Sequence, residues 1–303
     1  MPNTRDVRRR IRSVKNIAQV TGAMQAISAI KVRKAMQALD RTQPYATKAW
    51  QVLTHLAEQP GHTNLHPLLA HRPAVENVLV VLISGDRGLA GAYNTKIVNF
   101  AVHKFEQELA SVHYIAVGRK GRDMLYRRRK HIVGEFPNLL ATPSFQDVSA
   151  IGQLVVEEFL QGRADRVYLV YTDFISILKQ VPNIKLLLPL EVGAEAGEGR
   201  VVEYGIHPSG PAAAYIYEPG ESEILDETVP RFTALQLYQA LLESLASEHA
   251  ARMIAMQNAT DNATELVDTL TMDYNQLRQN NITTELIDLV GGTEALATQS
   301  HGE

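Results

Sequence analysis

With 303 residues the chain is long enough for two domains of ordinary size. A formal net charge of -3 supplies no global basic field for nucleic acid, and no run of about eighteen apolar residues is present to span a membrane. The absence of cysteine excludes disulfides, thiolate metal sites and thiol switches, and fits a reducing compartment.

The N-terminus, Met1-Pro2-Asn3-Thr4, is polar and lacks the apolar centre of a signal peptide. From Thr4 to about Ala57 the chain reads as a long helix, capped by Asn3 or Thr4. Val7, Ile11, Val14 and Ala18 form one stripe, and Ile17, Val20, Met24 and Ile27 an adjoining one. Arg8, Arg9, Arg10, Arg12 and Lys15 make this end basic, the pattern of a solvated face. Pro44 is expected to kink or end the helix. Gln59 to Pro73 reads as loop. His62, His66 and His71 lie there without a flanking carboxylate or cysteine, so no metal site is assigned.

Asn77 to Ser84 is a continuous apolar run, the pattern of a central parallel strand. Helices are predicted over residues 90–110, 119–129 and 146–161, and strands over 112–117, 131–135 and 166–171. This alternation predicts an α/β domain with a mainly parallel sheet. Later strands near 184–190 and 213–217 would add an edge hairpin. Gly193 to Gly210, rich in Gly, Glu and Pro, reads as a surface loop.

Phe232 to Val290 reads as one helix of roughly 85 Å, between Pro230 and the stop signal Gly291-Gly292. Its predicted seam runs through Leu235, Tyr238, Leu242, Leu245, His249, Arg252, Met256, Ala259, Ala263, Leu266, Leu270, Asp273 and Leu277. That rhythm of threes and fours is a coiled-coil signature. Each terminal helix needs a partner for its stripe, and the economical solution is that the two pair antiparallel. The fold class expected is therefore α/β: a long antiparallel two-helix coiled coil formed by the N- and C-terminal helices, with an inserted Rossmann-like α/β domain. The expected boundaries are 1–58, 75–218 and 222–296.

Candidate chemistry is sparse. Ser84-Gly85-Asp86-Arg87-Gly88-Leu89-Ala90-Gly91 follows the first strand and opens a helix, where phosphate sites occur. Its glycines recur every third residue, G-x-x-G-x-x-G, unlike a dinucleotide fingerprint, and no P-loop lysine follows. Arg127-Arg128-Arg129-Lys130 is one basic turn, the pattern of a solvated face. No serine, histidine and carboxylate form a catalytic arrangement, so the expectation is no catalytic residue, no cofactor and no metal.

Three segments resemble the gamma subunit of F-type ATP synthases, and the resemblance covers essentially the full length. One is Ile11-Arg12-Ser13-Val14-Lys15-Asn16 with Thr21-Gly22-Ala23-Met24. The second is the loop from Ser84 to Gly91, with one residue more before Asp86 than the family motif. The third runs from Arg252-Met253-Ile254-Ala255-Met256 through Ala259-Thr260-Asp261-Asn262-Ala263 to Ile282-Thr283-Thr284-Glu285-Leu286-Ile287-Asp288. Gly22 and Thr293 depart from residues common in the family.

The resemblance implies a non-catalytic central-stalk rotor, transmitting torque between a proton- or sodium-translocating membrane ring and three catalytic sites. Implied partners are the alpha and beta subunits of the catalytic ring, the epsilon subunit and the membrane c-ring, with no nucleic acid and no direct membrane insertion. Implied contacts to the ring are Met24, Arg252, Arg278, Gln279 and Glu285; Asp86, Arg87 and Gly88 form the foot-domain loop. The implied location is peripheral, on the cytoplasmic face of a bacterial plasma membrane. Two other readings of the residues stand beside it: a Rossmann-like nucleotide-binding enzyme and a coiled-coil scaffold outside the synthase.

Overall fold

The computed structural model describes residues 4–57, 66–141, 143–191 and 221–299. Helix α1 spans Thr4–Ala57 and helix α5 spans Glu221–Gln299. Between them in sequence come β1 (Asn77–Ile83), α2 (Tyr93–Phe105), β2 (Ser111–Val117), α3 (Arg119–Arg127), β3 (His131–Phe136), α4 (Phe145–Leu160), β4 (Arg166–Phe174) and β5 (Gln180–Leu188). The chain divides into two compact units, residues 1–27 with 253–303, and residues 28–252.

In the first unit α1 and α5 run antiparallel. The Thr21 and Thr260 hydroxyls share a hydrogen bond of 2.7 Å, and Gln25 Nε2 donates to Gln257 Oε1. Moving forward along α1 thus means moving back along α5. Counting outward from the threonine pair sets Ala18 against Ala263, Val14 against Val267, Ile11 against Leu270 and Val7 against Tyr274. Beyond Ala255 the covered positions on α5 are Met256, Ala259, Thr260, Ala263, Val267, Leu270, Tyr274 and Leu277; apart from Ala259 they follow in alternating steps of four and three.

This seam corrects the predicted one. Leu266 is 47% exposed and Asp273 is exposed, while their neighbours Val267 and Tyr274 are covered. Adjacent apolar residues at 266 and 267 admit two registers by pattern alone, and the Thr21–Thr260 bond fixes one. The second stripe of α1 is likewise outside the seam, with Ile17, Val20 and Ile27 exposed. From Arg278 to Val290, α5 is exposed on every side.

Helix ends also differ from expectation. α1 continues through Pro44, and α5 begins before Pro230 and continues past Gly291-Gly292. An interior proline costs about 3 kcal/mol and a glycine about 1 kcal/mol. Burial beside the prolines offsets the first cost: Ala46 and Leu53 are covered on α1, and Val229 and Phe232 on α5.

In the second unit the sheet order is β3-β2-β1-β4-β5, parallel except for β5, which pairs antiparallel with β4. The expected second strand of the edge hairpin, 213–217, and the loop 193–210 lie outside the described residues. Alternate residues of β1 feed opposite cores. Val78, Val80 and Leu82 pack with Ile97, Val98 and Val102 of α2. Leu79, Val81 and Ile83 join Val148 and Val155 of α4 and Phe232, Leu235 and Leu241 of α5.

Within this unit α5 is enclosed rather than merely paired. Trp50 of α1 stacks on Phe232 at 5.6 Å between ring centroids, and Gln239 Nε2 donates to Thr42 Oγ1 at 3.2 Å. On another side α4 approaches closely: a Cβ at Gly152 would lie 3.1 Å from that of Ala234. This enclosure explains why Thr233, Gln236, Ser244 and Ser247 are buried although they lie off the predicted seam.

Candidate functional site

The chain leaves β1 through α2 toward β2 and returns through α4 to β4, so its direction across the sheet switches between β1 and β4. The crevice at the carboxyl ends of such strands is where open α/β sheets bind ligands. Here α5 lies in it. Ser247 Oγ donates to the Thr172 carbonyl at 3.1 Å, and the Thr172 N–H donates to Ser244 Oγ at 3.1 Å. Tyr93 Oη, at the start of α2, donates to the Ser244 carbonyl at 3.0 Å. Burial, aided by the Glu248 charge, pushes the Tyr93 phenol far up, so it remains a donor.

One turn further on, Glu248 and Arg252 form a buried ion pair. Arg252 Nε and Nη2 also donate to the Gly88 carbonyl at 3.4 and 3.2 Å, and Nη1 lies 3.0 Å from His249 Nδ1. Gly85 is required beneath this pair, because a Cβ there would come within 2.8 Å of Glu248 Cδ.

Several polar groups of the rest of the loop bond to the chain itself. Gly85 N–H donates to Asn94 Oδ1 at 2.8 Å, and Asn94 Nδ2 donates to the Arg87 carbonyl at 3.3 Å. Asp86 Oδ1 accepts from the backbone N–H groups of Arg119 at 3.0 Å and Asn138 at 2.9 Å. A carboxylate therefore already sits at the start of α3, where a phosphate would gain most. Crevice and loop are both filled by side chains of this chain, which argues against the nucleotide-binding reading.

The predicted residues fall into two groups. Asp86, Arg87 and Gly88 are brought together with Arg252, whose side chain is 8% exposed. Arg252, implied as a ring contact, fastens the loop to α5 within this chain. Met24 is half-buried on α1, and Arg278, Gln279 and Glu285 are exposed on α5. Sequence reasoning missed Glu248, Tyr93, Thr172, Ser244 and Ser247. The available signal was Glu248 four residues before Arg252, a pair able to neutralise itself on one helix face. His66, considered for metal, instead accepts from the Leu68 N–H at 3.1 Å and faces Asp226 at 3.2 Å. No group of three potential metal ligands occurs among the described residues.

Burial and the neighbouring cations Arg252 and Lys31 push His249 down to about 3. The unfolded chain would protonate this histidine near 6.5 while the folded chain does not. Its contribution is complete above that pH and is lost as pH falls toward the folded value. Acidification from pH 6.5 to about pH 5 should remove up to about 2 kcal/mol of stability. His249→Gln should flatten this slope in urea melts at the two pH values, and an unchanged slope would rule out the histidine as its source.

A family model described as ATP synthase matches residues 3–296. The ATP synthase gamma chain of Roseiflexus sp. (strain RS-1) is 42% identical over 300 residues, covering 98% of this chain and 99% of the relative. The chain belongs to the ATP synthase gamma-chain family. The gamma chain of Pelotomaculum thermopropionicum is 40% identical over 296 residues, covering 98% of this chain and all of the relative. Among solved structures, a chain of the Tetrahymena thermophila mitochondrial ATP synthase central stalk and c-ring matches with TM-score 0.60 and 25% identity, over 79% of this chain and 99% of that one. A chain of the Euglena gracilis mitochondrial assembly of OSCP, F1 and c-ring shares the fold at TM-score 0.66 and 21% identity, over 97% of this chain and 94% of that one. No helix among the described residues of this gamma-family chain is long and apolar enough to cross a membrane.

Proposed function

We propose that this chain is the central-stalk rotor subunit of a proton- or sodium-translocating F-type ATP synthase. It would carry no catalytic site and transmit torque between a membrane c-ring and the three catalytic sites of an alpha–beta ring. Segments 1–58 and 222–296 would supply the shaft, and 75–218 the foot, which would meet the epsilon subunit and the c-ring. The complex would sit at the cytoplasmic face of a bacterial plasma membrane, with this chain peripheral.

The observation that carries the reading is the exposed surface of the paired helices. Their seam consumes one stripe of each. It leaves Ile17, Val20 and Ile27 exposed on α1, and a polar-then-apolar stretch from Arg278 to Val290 exposed on α5. Such a surface differs from side to side. A ring of three equivalent sites around it would meet three different faces, and the difference in contact free energy would assign each site its state.

Arg278, Gln279 and Glu285, with Met24 on α1, are the contacts proposed for the ring. Arg offers a rigid fork for a carboxylate and Gln a neutral donor and acceptor. Each charge-assisted bond is worth roughly 1.5–3 kcal/mol, enough to bias a dwell without locking rotation. Arg278→Ala with Gln279→Ala should leave the chain folded, since both side chains are exposed, but lower ATP turnover of the assembled complex about tenfold, matching one lost bond. ATPase rate and co-purification with the ring measure this. Wild-type values for both would remove the catch role.

A further inference from the structure

We infer that His113 and His131 form a two-imidazole chelate for a divalent copper or nickel ion at the amino edge of the sheet. The two residues are direct register partners on the adjacent parallel strands β2 and β3. Their rings meet edge to face with centroids 4.8 Å apart, and their Nδ1 atoms are 2.9 Å apart. One sits half-buried and the other exposed, so water has access to the point between them.

The second contact of His113 supports the geometry. Its Nε2 lies 3.3 Å from Ser111 Oγ. If Nε2–H donates to that hydroxyl, the Nδ1 lone pair faces His131, whose own Nδ1–H closes the metal-free pair. A ligating histidine held by a hydrogen bond from its other nitrogen is the usual arrangement in metal sites. On metal binding, the His131 proton moves from Nδ1 to Nε2 through solvent. Both rings stay neutral, no proton is lost from the pair and no electron is transferred.

The nitrogen separation suits a tetragonal ion once both rings turn so that the Nδ1 lone pairs, which in the metal-free pair lie along the N–H···N line, converge on one point. With metal–nitrogen bonds of about 2.0–2.1 Å, nitrogens 2.9 Å apart subtend about 90° at the metal. That is the angle between neighbouring ligands in a tetragonal copper or nickel site. Tetrahedral zinc would need roughly 3.4 Å between the nitrogens. Among the described residues no third His, Cys, Asp or Glu completes the group, so water would fill the other positions. The bound ion would tie β3, an edge strand, to β2 beside the register shift at Tyr114 and Ile115.

The test titrates Cu2+ alone into the full chain, followed by electron paramagnetic resonance. The chain has ten histidines, so the site is measured as a difference from His113→Asn, His131→Asn and the double variant. The wild type should take up one more Cu2+ than the double variant, in an axial, nitrogen-ligated signal, and each single variant should lose all of it. Equal uptake by wild type and double variant would overturn the chelate, as would single variants that each keep half. Independently of any variant, substoichiometric Cu2+ should broaden the ring NMR signals of His113 and His131 before those of other histidines. Ni2+ should also bind more tightly than Zn2+ at this pair. Broadening that begins elsewhere, or Zn2+ binding as tight as Ni2+, would also overturn it.

Discussion

Replacing Arg252 by alanine is expected to destabilise the unit of residues 28–252 by about 3–5 kcal/mol. The Glu248 side chain is 6% exposed, and Arg252 supplies its buried counter-charge. Burial already raises the Glu248 carboxyl above the usual range, and Arg252 opposes that rise. Removing the guanidinium leaves a carboxylate without solvent and takes two donors from the Gly88 carbonyl. The melting midpoint should fall on the order of 10 °C for a unit of this size. Glu248→Leu combined with Arg252→Leu should recover part of the loss, because no buried charge remains. A fall of less than about 2 °C on Arg252→Ala would show that the pair does not anchor the loop.

The second large effect belongs to the helix seam. Val267→Asp would place a carboxylate at a position 9% exposed and opposite Val14. A loss of about 3 kcal/mol or more is expected. Leu266→Asp, one residue away at a position 47% exposed, should cost within about 1 kcal/mol. Helicity and melting of the two variants, side by side, read the register directly. Equal losses would mean that the seam does not run through Val267.

The pair 266 and 267 also shows where sequence pattern stops being informative. The existence, direction and pairing of the long helices follow from stripes such as Val7, Ile11, Val14 and Ala18, which mutual antiparallel pairing covers most economically. The alternation from β1 to β4 was equally legible, since the run from Val78 to Ile83 has the continuous apolar pattern of a central strand. The register depends on a side-chain bond between Thr21 and Thr260, residues 239 positions apart, and no local pattern encodes it. The start of α5 departs from its local signal because the burial of Val229 and Phe232 exceeds the local cost of Pro230.

The crevice was the least legible part. Ser244, Ser247 and Glu248 look like polar interruptions of a coiled-coil helix when read against a two-helix partner alone. They become intelligible only when β4, α2 and the loop after β1 arrive from distant parts of the sequence to supply their partners. A buried serine is then a partner for a strand end, and Glu248 is a floor for Gly85.

The anchors on α5 carry one mechanical consequence. At 100° per residue, Ser247, Ser244, Glu248 and Arg252 occupy an arc of about 140° on the helix circumference. Their partners come from β4, from the β1 loop and, through the Ser244 carbonyl, from α2. Apolar contacts alone would let a cylinder roll in its groove, because they have little directional preference. Directional bonds spread over a third of the circumference act as a key in a keyway. Spinning α5 about its own axis would require breaking them together, so twist applied to the helix is delivered to the sheet as a whole.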